Sequence, residues 1–289
     1  MKVLVTGATG FIGQYVIHEL LKRNCEVVAS DISNEKAIEK SWYKKVSFVE
    51  HTIGKEKESE NLYQKFHQPD CMVHLAWQGL PNYKSLFHFE ENLPRQYFFL
   101  KRIVEDGLKD LTVSGTCFEY GMKSGSLRED MMPEPANPYA LAKNSLRLFM
   151  EELKRTTEFQ FKWVRLFYLY GKGQSPNSLL SQLDKAIANN ETSFNMSGGQ
   201  QVRDYLPVEE VAANLVSIAL QNKITGIINC CSGKPVTVEA LVKKYLSEKN
   251  KTIQLNPGYY PYPDYEPMEF WGDNKKLKSI LDKSGNDFK

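Results

Sequence analysis

Short apolar runs alternate with longer amphipathic stretches along the first part of this chain. A short, continuous apolar run is typical of a buried strand, whereas apolar residues at i, i+3 and i+4 indicate a helix packed on a sheet. The pattern predicts strands at 3–5, 26–31, 45–49, 71–75, 111–114 and 161–168, and helices over 15–21, 87–106 and 137–156. Strands that alternate with helices predict a parallel sheet covered on both faces.

The pattern is less regular after Gly171. Helices are predicted at 175–190, 208–221 and 237–248, and a strand at 226–231. The glycine pair at 198–199 and the Pro- and Tyr-rich stretch at 257–267 interrupt these elements, because glycine and proline break regular structure. The interruptions predict a small C-terminal lobe, interleaved with elements that return to the main sheet.

The stretch KVLVTGATGFIG at 2–13 joins the first strand to the first helix through a glycine-rich turn. Gly7 permits a tight turn off the strand, Gly10 lets backbone N–H groups approach a pyrophosphate, and Gly13 lets the helix pack close to the sheet. The helix N-terminus then offers free N–H groups and a partial positive charge to an anion. This order predicts a site for the phosphates of a dinucleotide.

The second predicted strand ends in Asp31, at about the 20-residue spacing from the glycine turn that dinucleotide folds use. A carboxylate at this point accepts hydrogen bonds from the adenosine ribose and repels a 2′-phosphate. No arginine follows in residues 32–34, so NAD(H) is favoured over NADP(H). NADP(H) stays open because Lys36 is near.

These features predict an α/β fold of the Rossmann type, with a doubly wound parallel sheet and a smaller C-terminal substrate-binding lobe. Residues 1–171 are expected to form the dinucleotide-binding domain, with 200–231 returning to it in part. Residues 172–289 are expected to form mainly the substrate-binding lobe. The substrate is then expected in a cleft at the carboxyl ends of the strands.

The composition of the 289 residues, 42% hydrophobic and 25% charged, is typical of a soluble globular protein. A net charge of +2 does not suggest nucleic acid as a partner, because such domains usually carry a strong basic excess. Residue 2 already reads as strand, and no apolar run approaches the ~18 residues of a membrane span. We therefore expect no membrane association and a cytoplasmic location. Five cysteines without CxxC spacing predict thiols and no metal site.

Tyr139 and Lys143 lie four residues apart on a predicted helix, so their side chains share one face. A nearby ammonium and an oxidised nicotinamide both favour the phenolate form of a tyrosine, which can then exchange a proton with a carbonyl oxygen during hydride transfer. The same spacing recurs at Tyr97–Lys101, Tyr168–Lys172 and Tyr245–Lys249. Only Tyr139 follows a glycine-containing turn, at 114–121, where Thr116 comes directly off a strand and can hydrogen-bond the reacting oxygen.

In this order the segments resemble the extended short-chain dehydrogenase/reductases, the family of nucleotide-sugar epimerases, dehydratases and ketoreductases. The matching segments are VTGATGFIG at 5–13, Asp31, HLA at 74–76, SGTCFEYG at 114–121, PYALAK at 138–143, VRLFYLYG at 164–171 and VRDYLPVEEVA at 202–212. The resemblance implies a catalytic trio of Thr116, Tyr139 and Lys143. It implies an NAD site lined by Gly7, Gly10, Phe11, Ile12, Gly13, Asp31, Ile32, Ala76, Asn92, Tyr139, Lys143 and Phe167.

The resemblance also implies contacts to a nucleotide-sugar substrate from Thr116, Tyr139, Tyr168 and Arg203. Arg203 would clamp the phosphates, since its planar donors pair with phosphate oxygens two at a time; alternatively, it forms a surface ion pair with Asp204 or Glu209. Tyr168 replaces the asparagine that the family uses at the diphosphate.

One further position departs from the family pattern, and two other features have two possible roles each. Thr52 takes the place of the aspartate that touches adenine after the third strand. Trp77 either shapes the sugar pocket or only packs its loop. The aromatic segments 259–263 and 270–271 either flank the nucleobase or sugar or form a stiff lobe edge.

Departures from the family narrow the reaction. Cys117 and Phe118 stand where sugar-nucleotide dehydratases carry an Asp-Glu pair, so dehydration is disfavoured. Reductases that also epimerise carbons 3 and 5 use a cysteine at position 118 and a histidine after the Tyr-Gly turn, and residues 172–178 contain no histidine. A 4-epimerase shares the bare trio and stays open.

The preferred prediction is an NAD(P)H-dependent reductase of the 4-keto group of a dTDP- or CDP-linked 4-keto-6-deoxy sugar, with Tyr139 as the proton donor. A nucleotide-sugar 4-epimerase with tightly bound NAD is the main alternative. A cofactor-sensing protein on the same fold is a third, disfavoured because Tyr139 and Lys143 are both present. The resemblance further implies a homodimer formed through the helices at 87–106 and 137–156.

Overall fold

The computed structural model describes residues 1–284 of the chain. In chain order the strands are β1 (Lys2–Thr6), β2 (Glu26–Asp31), β3 (Ser47–Glu50), β4 (Cys71–His74), β5 (Asp110–Thr116), β6 (Gly125–Leu127), β7 (Gln160–Leu166), β8 (Tyr168–Tyr170), β9 (Ser193–Asn195), β10 (Val202–Pro207), β11 (Gly226–Cys230), β12 (Pro235–Thr237), β13 (Gln254–Asn256) and β14 (Phe270–Gly272). The helices are α1 (Phe11–Lys22), α2 (Asn34–Ile38), α3 (Leu62–Lys65), α4 (Leu93–Glu105), α5 (Pro138–Leu153), α6 (Leu179–Ala188), α7 (Val208–Ala219), α8 (Val238–Glu248) and α9 (Lys275–Ser284).

Seven strands form one parallel sheet in the order β11-β7-β5-β4-β1-β2-β3. The chain runs outward from β1 to β3 and then returns to β4, so the strand order reverses between β1 and β4. Ligands of open α/β sheets bind outside the carboxyl ends of the strands at such a reversal. The predicted doubly wound parallel sheet is confirmed, and its reversal locates the binding crevice.

The strands of this sheet separate two large cores, because successive side chains of a strand point to opposite faces. On one face, Val3 and Val5 of β1 pack with apolar side chains of α1, α7 and α9. On the other face, Leu4 packs with α3, α4 and α5 around the buried Phe99 and Trp163. Both helical layers therefore hold β1 rigidly from either side.

A third core lies outside the seven-stranded sheet. It is built by α6, α8 and β9, with Leu183, Phe194 and Val242 as buried members. A smaller cluster, which includes Phe167 and Phe270, packs C-terminal segments against the end of β7. Strand β10 pairs with β8 and β12 in a separate sheet. These cores suit a main domain with a lobe, and the boundary expected at residue 171 stays a prediction.

The strand predicted over 161–168 is in fact two strands, β7 and β8. The chain leaves the large sheet at Phe167, whose N–H donates to the carbonyl of Cys230 at 3.2 Å. Tyr168 then pairs with Tyr205 of β10. The aromatic run contains no glycine or proline to mark this break, so periodicity alone could not find it.

Two helices also differ from the sequence pattern. The helix predicted over 87–106 begins as a π-helical turn at His88–Asn92, and α4 starts at Leu93 with Pro94 in its first turn, where no N–H is needed. Helix α9 was not predicted, because its sequence is rich in lysine; its Leu277 and Ile280 nevertheless return to the core shared with α7. No helix within residues 1–284 is long and apolar enough to cross a bilayer.

Candidate active site

Two close backbone approaches shape the glycine-rich turn between β1 and α1. Gly7 has a φ of 71°, and a Cβ there would lie 2.8 Å from the backbone nitrogen of Ala76. A Cβ at Gly13 would collide with the carbonyl oxygen of Gly7. Gly10 is the N-cap of α1 and supplies no side chain, so the first N–H groups of the helix are left for an anion.

A cavity of about 220 Å³ lies beside this turn, and we call it the cofactor cavity. Six of the predicted cofactor residues line it: Gly7, Gly10, Asp31, Ile32, Ala76 and Asn92. One carboxylate oxygen of Asp31 accepts hydrogen bonds from the N–H and hydroxyl of Thr9, both at 2.8 Å. The other oxygen accepts from the N–H of Ile32 at 2.8 Å. Asp31 is therefore held in a fixed orientation at the cavity wall.

Sequence reasoning missed several residues that line the cofactor cavity, among them Thr9, His51, Ile53 and Arg95. It had singled out Thr52 at this place. His51 directly follows β3, and Ile53 lies in the turn at 52–55, where the N–H of Lys55 donates to the carbonyl of Thr52 at 3.1 Å. Strand alternation could not have found them, because the chain turns here. The His51 ring is held from both sides: its Nδ1 lies 3.0 Å from Nζ of Lys65, and its Nε2 lies 3.0 Å from Oε1 of Glu56.

A second cavity of about 210 Å³, which we call the substrate cavity, adjoins the carboxyl end of β5. It is lined by the predicted residues Ile12, Thr116, Tyr139, Phe167 and Tyr168. Thr116 is the last residue of β5. Asn137 caps α5 by accepting a hydrogen bond from the N–H of Ala140 at 2.9 Å, which fixes Tyr139 in the first turn. The chain thus brings the phenol and the hydroxyl to one cavity.

The remaining predicted residues lie close to these walls. Lys143 is one helical turn after Tyr139, and its Nζ donates to the carbonyl of Ser114 in β5 at 2.8 Å. Phe11 packs edge-on against Tyr15, with 6.1 Å between the ring centroids.

Tyr168 and Arg203 share one partner, Glu266. The hydroxyl of Tyr168 donates to the carboxylate of Glu266. Arg203 is 1% exposed, forms an ion pair with Glu266 at 3.0 Å, and lies 4.5 Å from the ring centroid of Phe270. Its expected alternative partner Asp204 instead accepts from the N–H groups of two residues after β11. The phosphate-binding role of Arg203 stays a prediction.

A model of the NAD dependent epimerase/dehydratase family matches residues 3–231. The chain belongs to this family. The predicted resemblance to the extended short-chain dehydrogenase/reductases is confirmed, and so is the prediction that the chain is an enzyme.

Three relatives of this epimerase/dehydratase family protein bear on its chemistry. A dTDP-6-deoxy-L-talose 4-dehydrogenase (NAD(+)) from Aggregatibacter actinomycetemcomitans is 30% identical over 94% of this chain and 99% of its own. A dTDP-4-dehydro-6-deoxyglucose reductase from Escherichia coli is 25% identical over 86% of this chain and 82% of its own. The solved structure of MoeE5 in complex with UDP-glucuronic acid and NAD has a TM-score of 0.79 and 25% identity, covering 98% of this chain and 93% of that chain.

The cofactor cavity of this family member fits NAD. The glycines at positions 7 and 13 let the turn close on its own backbone and on that of Ala76, and this tight turn is the form that presents N–H groups to a pyrophosphate. The carboxylate of Asp31 lines the cavity, which suits ribose hydroxyls and opposes a 2′-phosphate. The family is NAD dependent, and the preference for NAD expected from the sequence is confirmed.

Burial dominates the electrostatics of the catalytic pair in this enzyme. Tyr139 is 7% exposed, and burial raises the pKa of its phenol, while a hydrogen bond with Thr116 opposes the rise. The chain alone therefore favours the neutral phenol, whereas the sequence suggested a phenolate. Burial lowers the pKa of Lys143 to about 7, and the charge of Glu119 acts in the opposite direction.

Glu119 lies fully buried beneath the catalytic turn. Its carboxylate accepts hydrogen bonds from the N–H of Thr116 at 2.9 Å, from the indole of Trp163 at 2.9 Å and from Arg165 at 2.8 Å. Thr116 and Glu119 form a reciprocal capping box around the short turn Cys117–Tyr120. The hydroxyl of Thr116 is thereby held by a buried, multiply bonded support.

Aromatic rings form one side of the substrate cavity. Tyr83 packs against Phe118, Tyr139 and Tyr265, with ring centroids 5.1, 5.5 and 5.8 Å apart. The carbonyl of Tyr83 also accepts the N–H of Tyr139 at 3.1 Å. Tyr265 comes from the Pro- and Tyr-rich stretch of the C-terminal part, so that stretch packs on Tyr83, the ring that contacts Tyr139.

Proposed function

We propose that this enzyme reduces the 4-keto group of a dTDP-linked 4-keto-6-deoxy sugar with NADH, and catalyses the reverse oxidation. The A. actinomycetemcomitans relative, whose name describes an NAD(+)-dependent 4-dehydrogenase of dTDP-6-deoxy-L-talose, supports this substrate class over a CDP-linked sugar. NADPH is expected to be the weaker reductant because Asp31 lines the cofactor cavity.

The chain supplies the proton and the orientation for this reaction. NADH, when bound, supplies the hydride that reduces carbon 4. Tyr139 donates its phenolic proton to the oxygen of the carbonyl group, and Thr116 hydrogen-bonds the same oxygen. The phenolate left on Tyr139 is favoured by the hydrogen bond with Thr116 and by the ammonium of Lys143. Return of a proton from solvent restores the neutral phenol.

One observation carries the choice of reaction: beside Thr116 and Tyr139, the titratable groups that line the substrate cavity within residues 1–284 are weak acids only, the phenols of Tyr83 and Tyr168, whose pKa burial raises, and a thiol. Among the residues that line it in the described part of the chain, none carries a carboxylate or an imidazole. Cys117 and Phe118 occupy the places of a dehydratase acid/base pair, and burial raises the pKa of the Cys117 thiol, which removes it as a base. Elimination and 3,5-epimerisation both need such a group, whereas reduction at carbon 4 does not.

The test is a panel of dTDP-, CDP- and GDP-linked 4-keto-6-deoxy sugars, each mixed with NADH or NADPH while the loss of reduced cofactor is followed optically. We expect stoichiometric NADH consumption with the dTDP-linked sugar, and slower consumption with NADPH. Absence of consumption with every member of the panel would contradict the proposal.

A 4-epimerase would differ in its cofactor demand. It retains NAD through turnover and needs none added, so purified protein would carry the dinucleotide and convert a nucleotide sugar without net redox change. The proposed reductase is expected to be purified with little bound NAD and to stop without added NADH.

We also propose a homodimer in the cytoplasm, with residues 172–289 as mainly the substrate lobe and Tyr168 and Arg203 as its nucleotide-sugar contacts. Phe98 of α4 and Leu148 and Phe149 of α5 are exposed apolar side chains. They support the dimer, because a second subunit packed on these helices would remove them from water. Light scattering should give a dimer mass, and Phe149→Ser should shift it toward a monomer. A monomeric wild-type protein would contradict the dimer.

A further inference from the structure

Trp77 makes the closest ring contact of the catalytic lysine. The Nζ of Lys143 lies 4.1 Å from the centroid of the Trp77 ring, and 6.0 Å from that of Trp163. Lys143 is 1% exposed, and its Nζ donates a hydrogen bond to the carbonyl of Ser114. Trp77 lines the cofactor cavity and not the sugar side, where the sequence analysis had considered it.

The indole of Trp77 is fixed by a hydrogen-bonded histidine. Its Nε1 donates to Nδ1 of His88 at 3.1 Å, and Nε2 of His88 donates to the carbonyl of Asn82 at 2.9 Å. This arrangement requires a neutral His88, and burial does lower the pKa of that imidazole. Both rings also pack on Tyr139: the distance between ring centroids is 6.0 Å for Trp77 and 5.3 Å for His88. One anchored indole therefore contacts both members of the catalytic pair.

We propose that Trp77 is a positioning residue that acts through Lys143: its ring face stabilises the buried ammonium in the charged form that the catalytic tyrosine needs. The inference rests on the proposed role of Lys143 in the reaction. His88 contributes by holding the indole in this orientation.

Few groups around Lys143 can stabilise its ammonium. An ammonium taken out of water tends to lose its proton, and burial lowers the pKa of Lys143 to about 7. Glu119, below the turn after β5, is the carboxylate that favours the charged form. His74 of β4 and His88 are held neutral by burial, and Tyr139 on the same helix is a neutral phenol. The electron-rich face of an indole attracts a cation, most strongly where water is excluded.

The test follows the titration of Lys143 in the cofactor-free protein. Lysines are labelled with ¹³C at Cε, their NMR shifts are recorded against pH, and Lys143→Met assigns the resonance. If the ring face stabilises the ammonium, Trp77→Leu should lower the midpoint by about one pH unit, while Trp77→Phe, which keeps a ring face, should lower it less. Trp271→Leu removes an indole from β14 and serves as the matched control, with an unchanged midpoint.

The sign of the shift decides the proposal. If Trp77 only excludes water, Trp77→Leu admits water and the midpoint rises; a rise or no change would overturn the inference. In turnover assays, the fall of kcat/KM above the Lys143 midpoint should move to lower pH in Trp77→Leu and be partly restored in Trp77→Phe. The NMR titration needs neither NADH nor a sugar, so it stands or fails independently of the proposed substrate.

Discussion

The two sides of the crevice are built in different ways. The cofactor side is lined by residues from the first third of the chain, where Gly7 and Gly13 act through backbone clearance and Thr9 holds Asp31. The substrate side is assembled from distant segments, as in the contacts of Tyr83 with Tyr265 and of Tyr168 with Glu266. A local site can be inferred from spacing, whereas a long-range site depends on packing that only the fold supplies.

The largest expected effect concerns the point where the two sides meet. Tyr139→Phe removes the proton donor but keeps the ring that packs on Tyr83, so kcat should fall by roughly 10²–10⁴-fold while NADH affinity stays nearly unchanged. Steady-state kinetics and fluorescence titration with NADH would separate the two effects. Normal turnover would remove Tyr139 from the mechanism, and a parallel loss of NADH binding would mean that the two sides are not separable.

Lys143→Met is expected to slow turnover, though less than Tyr139→Phe, and yet to stabilise the protein. The pKa of Lys143 falls from 10.5 to about 7 on burial, so between these values the unfolded chain binds the extra proton and wild-type stability rises with pH. The free-energy cost of burying the charged ammonium is fully present below about pH 7, where Lys143 is protonated in both the folded and the unfolded chain. Below about pH 7 the free energy of unfolding of the variant should therefore exceed that of the wild type by on the order of 5 kcal/mol, and the difference should disappear toward pH 10. Thermal denaturation across this range measures it, and a constant gap would contradict it.

Gly13→Ala tests the cofactor side alone. The added Cβ meets the carbonyl oxygen of Gly7, so the turn must open, and NADH affinity should fall by about tenfold or more. Gly125→Ala is a control outside both cavities: its φ of 83° makes alanine strained in the backbone, but the added Cβ meets nothing within 4 Å. Calorimetric titration with NADH compares them. Equal affinity in the two variants would show that the close approach at Gly13 is dispensable.

The smallest effect is expected at the rim of the substrate side. Lys84 and Asp264 form an ion pair at 2.8 Å between side chains that are 61% and 76% exposed. Exposed pairs contribute little, so Asp264→Asn should change the KM for the nucleotide sugar by less than about twofold. A larger change, measured at two salt concentrations, would mean that this pair and not the aromatic contacts of Tyr83 closes the rim.

The contrast between the cofactor side and the substrate side also explains which parts of the fold and the site could be predicted from the sequence. The parallel sheet, the glycine turn and Asp31 follow from apolar period and spacing, which are local signals. The meeting of Thr116 with Tyr139 is implied by the resemblance to the family. Glu266 as the partner of Arg203 could not be found, because neither residue carries a pattern that points to the other. Burial was also out of reach: the adjacency of Tyr139 and Lys143 suggested a phenolate, while water exclusion in the folded chain favours the phenol.

Helix α9 bears on how the protein could be dissected. It lies beyond residue 231, where the family match ends, yet Leu277 and Ile280 fill the core shared by α1 and α7. A fragment cut after residue 231 would expose to water the apolar side chains of α7 and β11 that α9 covers. The nucleotide-binding half is thus no detachable module, because a helix from the C-terminal part completes its outer layer.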